Sequence, residues 1–397
     1  MSALFEKTEI NGMKLKNRLV RSATHEAMAD ENGFPTQRLY KLYDGLAKGG
    51  VGLIITGYAY VSRDGKSNAM LGIDSDELIP KYSELVNQVH QNGARIAMQI
   101  NHCGRQTTKE MTGSEPIAPS AVKEKVFLVK PRKMTEGDIE RVIEAFAQSA
   151  RRVKESGFDA LQLHAAHGFL INQFLCQHTN RRDDRWGGSI ENRMRFLTSI
   201  YERCRKQVGE DYPILIKINA YDHMKNGLKQ DESIEMSKLI AEMGFNGIEI
   251  SCGIAEDGGS TVRGDLPLDV ILDEWYMYKR KNFLFRFIMK RYGNKIIKPV
   301  PFSQGYNLES AKHIKDNVNI PVFVVGGMTD PGKMEETIKN GDADYISMSR
   351  ALITDPNFPN KIKNGDRKPS SCIHCNLCLY YLASKPVRCY HGKRVKE

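Results

Sequence analysis

Eight short β-branched runs, each followed by a polar loop and then a helix-period stretch, leave this chain few folds to choose from. The runs lie at 18–23, 51–57, 94–100, 160–164, 213–219, 247–252, 321–325 and 344–347. Helix-period segments at 36–48, 77–92, 135–156, 189–208, 231–243, 307–317 and 331–340 separate them, and a last one at 357–364 follows the eighth run. Strands alternating with helices pair in parallel, because each helix carries the chain back to the same edge of the sheet. Eight such units in roughly 350 residues match a TIM (β/α)8 barrel with insertions. The rival, a doubly wound sheet, calls for a G-x-G-x-x-G turn after the first strand, and none is present.

Local signals support the boundaries. Gly157 follows the longest helical stretch and suits a helix stop. Pro213 opens the fifth run, where a missing N–H costs no ladder bond. Thr135 with Asp138 marks a helix start. Insertions at 102–133 and 253–300 follow the third and sixth runs, so both are expected on the rim where strands end. The second carries aromatics interleaved with bases from Trp275 to Tyr292. Such a stretch can bind nucleic acid or lie on a membrane. The plainer expectation is a helical excursion that packs its aromatics on the barrel rim. The barrel is expected over 1–365, with a cysteine-rich tail over 366–397.

At 41% hydrophobic residues the chain can build a large core. No stretch approaches the ~20 apolar residues of a membrane span, and the first residues lack the apolar run of a secretory signal. A soluble cytoplasmic protein is expected. The net charge of +10 is local: residues 279–298 hold eight Lys/Arg and no acid, and residues 361–397 hold nine against two. Basic patches favour phosphates, acidic partners or anionic surfaces, and they also occur as ordinary solvated lysines. Cys103, Cys176, Cys204 and Cys252 are scattered, as free thiols in a reducing compartment would be.

In a parallel barrel the carboxyl ends of all strands open onto one face. Read in order, those ends supply Ala23-Thr24-His25, Thr56-Gly57, Gln99 to Arg105, His164 and His167, Lys217 and Asn219, Ser251-Cys252, Gly326-Gly327, and Ser349-Arg350. Gly326-Gly327 lets backbone N–H groups approach an anion, and Ser349 and Arg350 add a hydroxyl and a charge. That reads as a phosphate cradle. Lys217 points from an apolar strand into the barrel, where a cation needs a partner. The partner is either an electron-rich flavin edge or Glu249 on the next strand. Gln99 can donate and accept, which suits a pyrimidine edge. His164 and His167 can grip an anion or a carbonyl oxygen.

Four stretches carry a resemblance. Leu15 to Ala23, Gln99-x-x-His102-x-Gly104-Arg105, His164-x-x-His167-Gly168, and Asn180 to Arg193 with its Trp186-Gly-Gly-Ser189 core resemble the old yellow enzyme family of FMN-dependent ene-reductases. The resemblance covers roughly residues 4–365. It implies FMN held by the ends of strands one to three (Ala23, Thr24, Gly57, Gln99), by Lys217, and by Gly326, Gly327, Ser349 and Arg350. It implies that His164 and His167 bind the oxygen of the substrate, a small molecule. NAD(P)H would reduce the flavin, whose N5 would then deliver hydride to the β-carbon of an activated alkene. Many family members carry a tyrosine two residues after the second histidine as proton donor; this chain has Phe169 there. His25, Cys252 and Tyr58 are the alternative donors. His25 stands out because the flavin domain of 2,4-dienoyl-CoA reductases resembles this chain there too.

Cys372, Cys375, Cys378 and Cys389 are spaced C-x2-C-x2-C-x10-C. Thiolates so spaced can fold round a [4Fe–4S] core, or hold Zn²⁺ with His374 or His391 as an alternate ligand, or bind no metal. The resemblance favours iron–sulfur: dienoyl-CoA and enoate reductases and trimethylamine dehydrogenase carry a similar run just after the barrel. The second, FAD- and NAD-binding domain of those proteins is not expected in this chain, so a cluster would need a separate redox partner or would only staple the tail. The reading at this point is an FMN-dependent ene-reductase. An amine dehydrogenase or demethylase, an electron-transfer flavoprotein and a tRNA-binding flavoprotein are the alternatives. Membrane and nucleic acid are not the expected partners, and an oligomer is compatible with the sequence.

Overall fold

The computed structural model describes residues 2–257, 260–297 and 299–392, with backbone alone at 276–277 and 294–296. Eight strands close a parallel ring: β1 (Leu19–Arg21), β2 (Leu53–Ile55), β3 (Arg95–Asn101), β4 (Ala160–Ala165), β5 (Ile214–Asn219), β6 (Gly247–Ser251), β7 (Val322–Val325) and β8 (Tyr345–Met348). Each pairs with its successor, and β8 pairs back with β1. The expected TIM barrel is therefore the observed fold. β1 and β2 leave the ladder sooner than expected, so Ala23, Thr24 and Gly57 sit in loops beyond them. The chain after β2 pairs again through Ala59–Tyr60, against the end of β3.

The wall is made by α1 (Gln37–Lys48), α2 (Ile79–Gln91), α3 (Glu136–Glu155), α4 (Ile190–Val208), α5 (Gln230–Glu242), α6 (Leu308–Lys315), α7 (Pro331–Lys339) and α8 (Phe358–Lys363). In α3, Ile139, Val142, Ile143, Phe146, Ala150 and Val153 recur at helical spacing and are buried. Burying a side chain of Val, Ile or Phe size is worth roughly 1.5–3 kcal/mol, so this stripe is what fixes the helix to the barrel. The expected start is present: Thr135 Oγ1 accepts from Asp138 N at 3.2 Å, and Asp138 accepts from Thr135 N at 2.8 Å. Gly157 takes a left-handed φ of +85° just past its end.

The 180–193 stretch locks the loop after β4. Asn180 donates to the carbonyls of Phe174 and Trp186, and Arg182 donates to those of Pro119 and Met134. A short antiparallel pair, Thr8–Ile10 with Met13–Leu15, plugs the amino end of the ring. Its Ile10, Met13 and Leu15 pack with Val20, Leu53, Ile55, Ala97, Ala160, Leu215, Phe323 and Tyr345, which are the lumen-facing residues of seven strands. That apolar floor sets the face of every strand: two residues further on, the same face must line the next layer up.

The insertion after β6 corrects one expectation. It forms Leu268–Glu274, Tyr276–Lys279 and Phe283–Ile296. Trp275 packs inward, donating to the Tyr380 carbonyl at 3.0 Å. Phe283, Leu284, Phe287, Ile288 and Tyr292 instead face solvent, Phe283 at 83% exposure. The inward side holds half-buried Phe285 and Met289 with Arg286, which bonds the Leu272 carbonyl and Asp273, and exposed Lys290 also pairs with Asp273. No helix among the described residues is long and apolar enough to cross a membrane.

Candidate active site

One layer above the floor, the lumen turns polar. The residues two positions after Ala97, Ala160, Leu215 and Gly247 are Gln99, Gln162, Lys217 and Glu249, and they form one chain of contacts. Gln99 Nε2 donates to Gln162 Oε1 at 2.7 Å, and Gln162 Nε2 donates to Glu249 Oε2 at 3.0 Å. Lys217 Nζ lies 3.1 Å from that same oxygen and donates to Ser22 Oγ of the β1 end at 2.9 Å. Of the two partners open to Lys217, the structure holds Glu249. Gln162 and Ser22 were missed in the sequence. The signal was there, since Gln162 is a polar residue on the lumen face of an otherwise apolar strand.

This layer is not self-sufficient. Among the described residues, buried Gln99 Oε1, Glu249 Oε1, His164 Nδ1 and Ser347 Oγ have no hydrogen-bond partner, nor do Nε and Nη2 of Arg21. Orphaned buried groups are costly, so a set of them converging in one lumen argues for a polar ligand that completes it. Acceptors, donors and a cation interleaved in one plane fit the pyrimidine edge of an isoalloxazine.

The two histidines stand directly above. His164 is the register partner of Lys217. The rings of His164 and His167 are 5.1 Å apart and nearly perpendicular. Burial pushes His164 well below the ordinary imidazole value, helped by His167 and Lys217; burial and Lys217 lower His167 to about 3. Both rings are neutral near pH 7 and can donate N–H without carrying charge. His167 sits at φ +60°, unusual for a residue with a side chain. Its N–H donates to Asn219 Oδ1, its carbonyl accepts from Gln106 Nε2, and its Nε2 meets Ser251 Oγ at 2.7 Å. Backbone strain so firmly over-determined is characteristic of functional positions.

An aromatic wall flanks the pair. Tyr58 stacks on His25 at 5.0 Å and lies 4.9 Å from Phe169 and 5.8 Å from His164. His25 Nε2 is 3.1 Å from the Asn68 carbonyl, and burial lowers its pKa to about 4. The proton of neutral His25 is thus on Nε2 and committed to that carbonyl. Burial pushes the Cys252 thiol up to about 11, and its Sγ faces the Ser260 carbonyl. The Tyr58 hydroxyl has no partner among the described residues, and burial raises its pKa well above the usual phenol value. Of the three donors considered, only Tyr58 has a proton that nothing else holds.

The remaining cofactor residues separate into two groups. Thr24 Oγ1 meets Ser349 Oγ at 2.8 Å, joining the ends of β1 and β8. Gly326 and Gly327 have φ of +132° and +70°. A Cβ on Gly327 would come 2.4 Å from the Ser303 carbonyl, so the segment after the insertion lies flush on the β7 end. Arg350 points the other way, donating to the Arg263 carbonyl and to Asn376 Oδ1. Gly57 is fixed by Glu26, whose carboxylate accepts from Gly57 N at 3.0 Å and would lie 1.9 Å from a Cβ there.

Asn376 belongs to the tail. Cys372, Cys375, Cys378 and Cys389 are half-buried free thiols. Burial pushes Cys378 up to about 11; Arg350 opposes this, and the other three cysteines reinforce it, so each of the three lies within electrostatic reach of Cys378. No set of three or more His, Cys, Asp or Glu side chains among the described residues is drawn together as a ligand shell. The turn between the cysteines is strained, with His374 at φ +61° and Asn376 at φ +57°, and it is wedged by bonds from Asn376 to the Val262 and Asp265 carbonyls.

Comparison with known proteins gives a consistent picture. The sequence model of the NADH:flavin oxidoreductase / NADH oxidase family matches residues 3–255 and 290–368. An NADH oxidase of Thermoanaerobacter brockii is 36% identical over 378 residues, covering 94% of this chain and 53% of that protein. An NADPH dehydrogenase of Geobacillus sp. strain WCH70 is 34% identical over 90% of this chain and 92% of its own length. A solved 2-naphthoyl-CoA reductase complex superposes with a TM-score of 0.83 at 26% identity, covering 96% of this chain and 55% of that one. The chain thus spans about half the length of several relatives it matches.

Proposed function

Because the chain belongs to the NADH:flavin oxidoreductase / NADH oxidase family, we propose that it is an FMN-dependent, NAD(P)H-driven reductase of activated alkenes, such as α,β-unsaturated carbonyl compounds. The observation that carries this reading is the neutral pair His164 and His167 above a polar layer that lacks partners. Two uncharged N–H donors aimed at one carbonyl oxygen stabilise the enolate charge as it develops there, and they do not bind a ground-state anion as strongly as a cation would.

Gln99, Lys217 and Ser22 would hold the pyrimidine edge of FMN. Thr24, Ser349, Gly326 and Gly327 are assigned to its ribityl phosphate, while Arg350, expected there from sequence, is turned to the tail. When bound, FMN supplies the hydride, taken from NAD(P)H and passed to the β-carbon of the substrate. Lys217 steadies negative charge on that edge, with Glu249 fixing its position. Tyr58 supplies the proton to the α-carbon and recovers one from solvent. Phe169 and Tyr58 keep water away from the reacting carbons.

The four tail cysteines are proposed to bind a [4Fe–4S] cluster. The strained 374–376 turn and the reach of the other three thiols to Cys378 support it, with Zn²⁺ or an empty tail as the other outcomes. An absorption spectrum of anaerobically purified protein tests both assignments. Flavin bands plus a broad shoulder bleached by dithionite are expected, with equal iron and sulfide, and Cys378→Ser should lose the shoulder only. Protein that stays colourless after incubation with FMN would sink the flavin reading.

A further inference from the structure

The helix Phe283–Ile296 packs through one side only. Half-buried Phe285, Arg286 and Met289 and buried Gly293 lie on that side, with Arg286 tied to Asp273. Gly293 faces Leu268 so closely that a Cβ would come 2.5 Å from it. The outer face carries Phe283, Leu284, Phe287, Ile288 and Tyr292, which are 83, 64, 56, 41 and 48% exposed. At 100° per residue these five fall on one side of the helix, with Arg291 among them. Only three other large hydrophobics among the described residues are exposed, so the apolar surface is concentrated on this one element. Apolar side chains gathered outward on one helix mark an interaction site, since single scattered ones would need no explanation.

The charge around the stripe selects the partner. Residues 279–298 carry eight Lys/Arg and no acid. Lys279 and Lys281 are exposed at the amino end of the helix, and the Arg291 guanidinium lies within the stripe, 5.6 Å over the Tyr292 ring. A stripe of rings and aliphatics with a cation within it and others at its amino end complements a surface that offers hydrocarbon beneath anions. The match to the family breaks over 256–289, so most of the segment lies outside what the relatives' shared pattern accounts for.

We propose that Phe283–Ile296 is a peripheral docking helix for an anionic phospholipid bilayer. Phe283, Leu284, Phe287 and Ile288 enter the acyl boundary, while Lys279, Lys281 and Arg291 meet the headgroup phosphates. This docking goes beyond the sequence expectation, which does not count a membrane among the partners. Because the insertion begins at the end of β6, docking turns the open rim of the barrel toward the bilayer. The tail goes with it, bound through Trp275 to Tyr380 and through Glu274 to Ser384.

The test is sedimentation of the full chain with vesicles of phosphatidylcholine alone or mixed with phosphatidylglycerol. Binding to the mixed vesicles is expected, weakening with salt and falling at least about tenfold in the double variant Phe283→Ser, Phe287→Ser. Lys281→Glu should weaken it by about fivefold or more, while flavin content and NAD(P)H-dependent flavin reduction stay unchanged. Three results overturn the proposal. One is no binding to mixed vesicles at low salt. Another is equal binding by the serine pair. The third is self-association of the wild type, abolished by the serine pair in analytical ultracentrifugation without vesicle binding, which would assign the stripe to a second copy of this chain.

Discussion

His167 pays for its position in backbone strain, and Ser251, Asn219 and Gln106 hold it there. Removing an oxyanion-stabilising donor typically costs about 10²–10³ in turnover. His164→Ala should therefore slow alkene reduction by about that factor, while flavin reduction by NAD(P)H changes little; stopped-flow measurement of the two half-reactions separates them. Tyr58→Phe should slow the alkene half-reaction by about 10²–10⁴, the usual worth of a general acid, and leave quinone reduction intact. Deuterium delivered to the α-carbon from D₂O should then lose its facial selectivity. The pH dependence follows from the depressed imidazole. With His167 at about 3 when folded and about 6.5 when unfolded, its contribution is complete above pH ~6.5 and is lost as pH falls toward 3, because the unfolded chain takes up the proton first. Melting of apoprotein at pH 7 and pH 5 should show a smaller drop for His167→Asn. Both histidines were legible in the sequence because a polar pair at the end of an apolar run is conspicuous. Ser251's grip on the ring was not, since it depends on how two strands four loops of chain apart are brought into register.

Among the strands, the polar layer acts as a set. Lys217→Met leaves Glu249 buried and unpaired, and breaking such a pair costs about 3–5 kcal/mol. Adding Glu249→Leu should recover most of that stability without recovering flavin affinity; denaturant unfolding of the apoproteins and FMN titration read the two separately. Gly327→Ala should impair both at once, because φ is +70° and the new Cβ would meet the Ser303 carbonyl. The eight strands were readable from β-branched runs, and their lumen faces from the two-residue alternation. Only some of the rim insertion's aromatics pack as expected: Trp275, Tyr278 and Phe285 are half-buried, and Phe283, Phe287 and Tyr292 are exposed. Periodicity reveals that a helix has an apolar stripe; it does not say which side the protein lies on. Here Phe285, Met289 and Gly293 took the inner side and left Phe283, Phe287 and Tyr292 outside.

Across the whole molecule, the tail is tied to the barrel at widely separated points. Val387 N donates to the Glu26 carbonyl, Ser370 N to the Thr329 carbonyl, and Arg350 to Asn376. Burial pushes the Glu26 carboxyl up to about 7, and that same carboxyl holds Gly57. None of these ties was visible in the sequence, because cysteine spacing fixes the local turn and says nothing about what the turn rests on. Parallel closure has one more consequence. The residues that keep the ring shut lie low in the lumen, and both long insertions spring from its upper edge, so the two can change independently. A shortened connection between β6 and α6 should leave a barrel that still folds, and the excised segment, carried on an unrelated scaffold, should take its preferred address along with it.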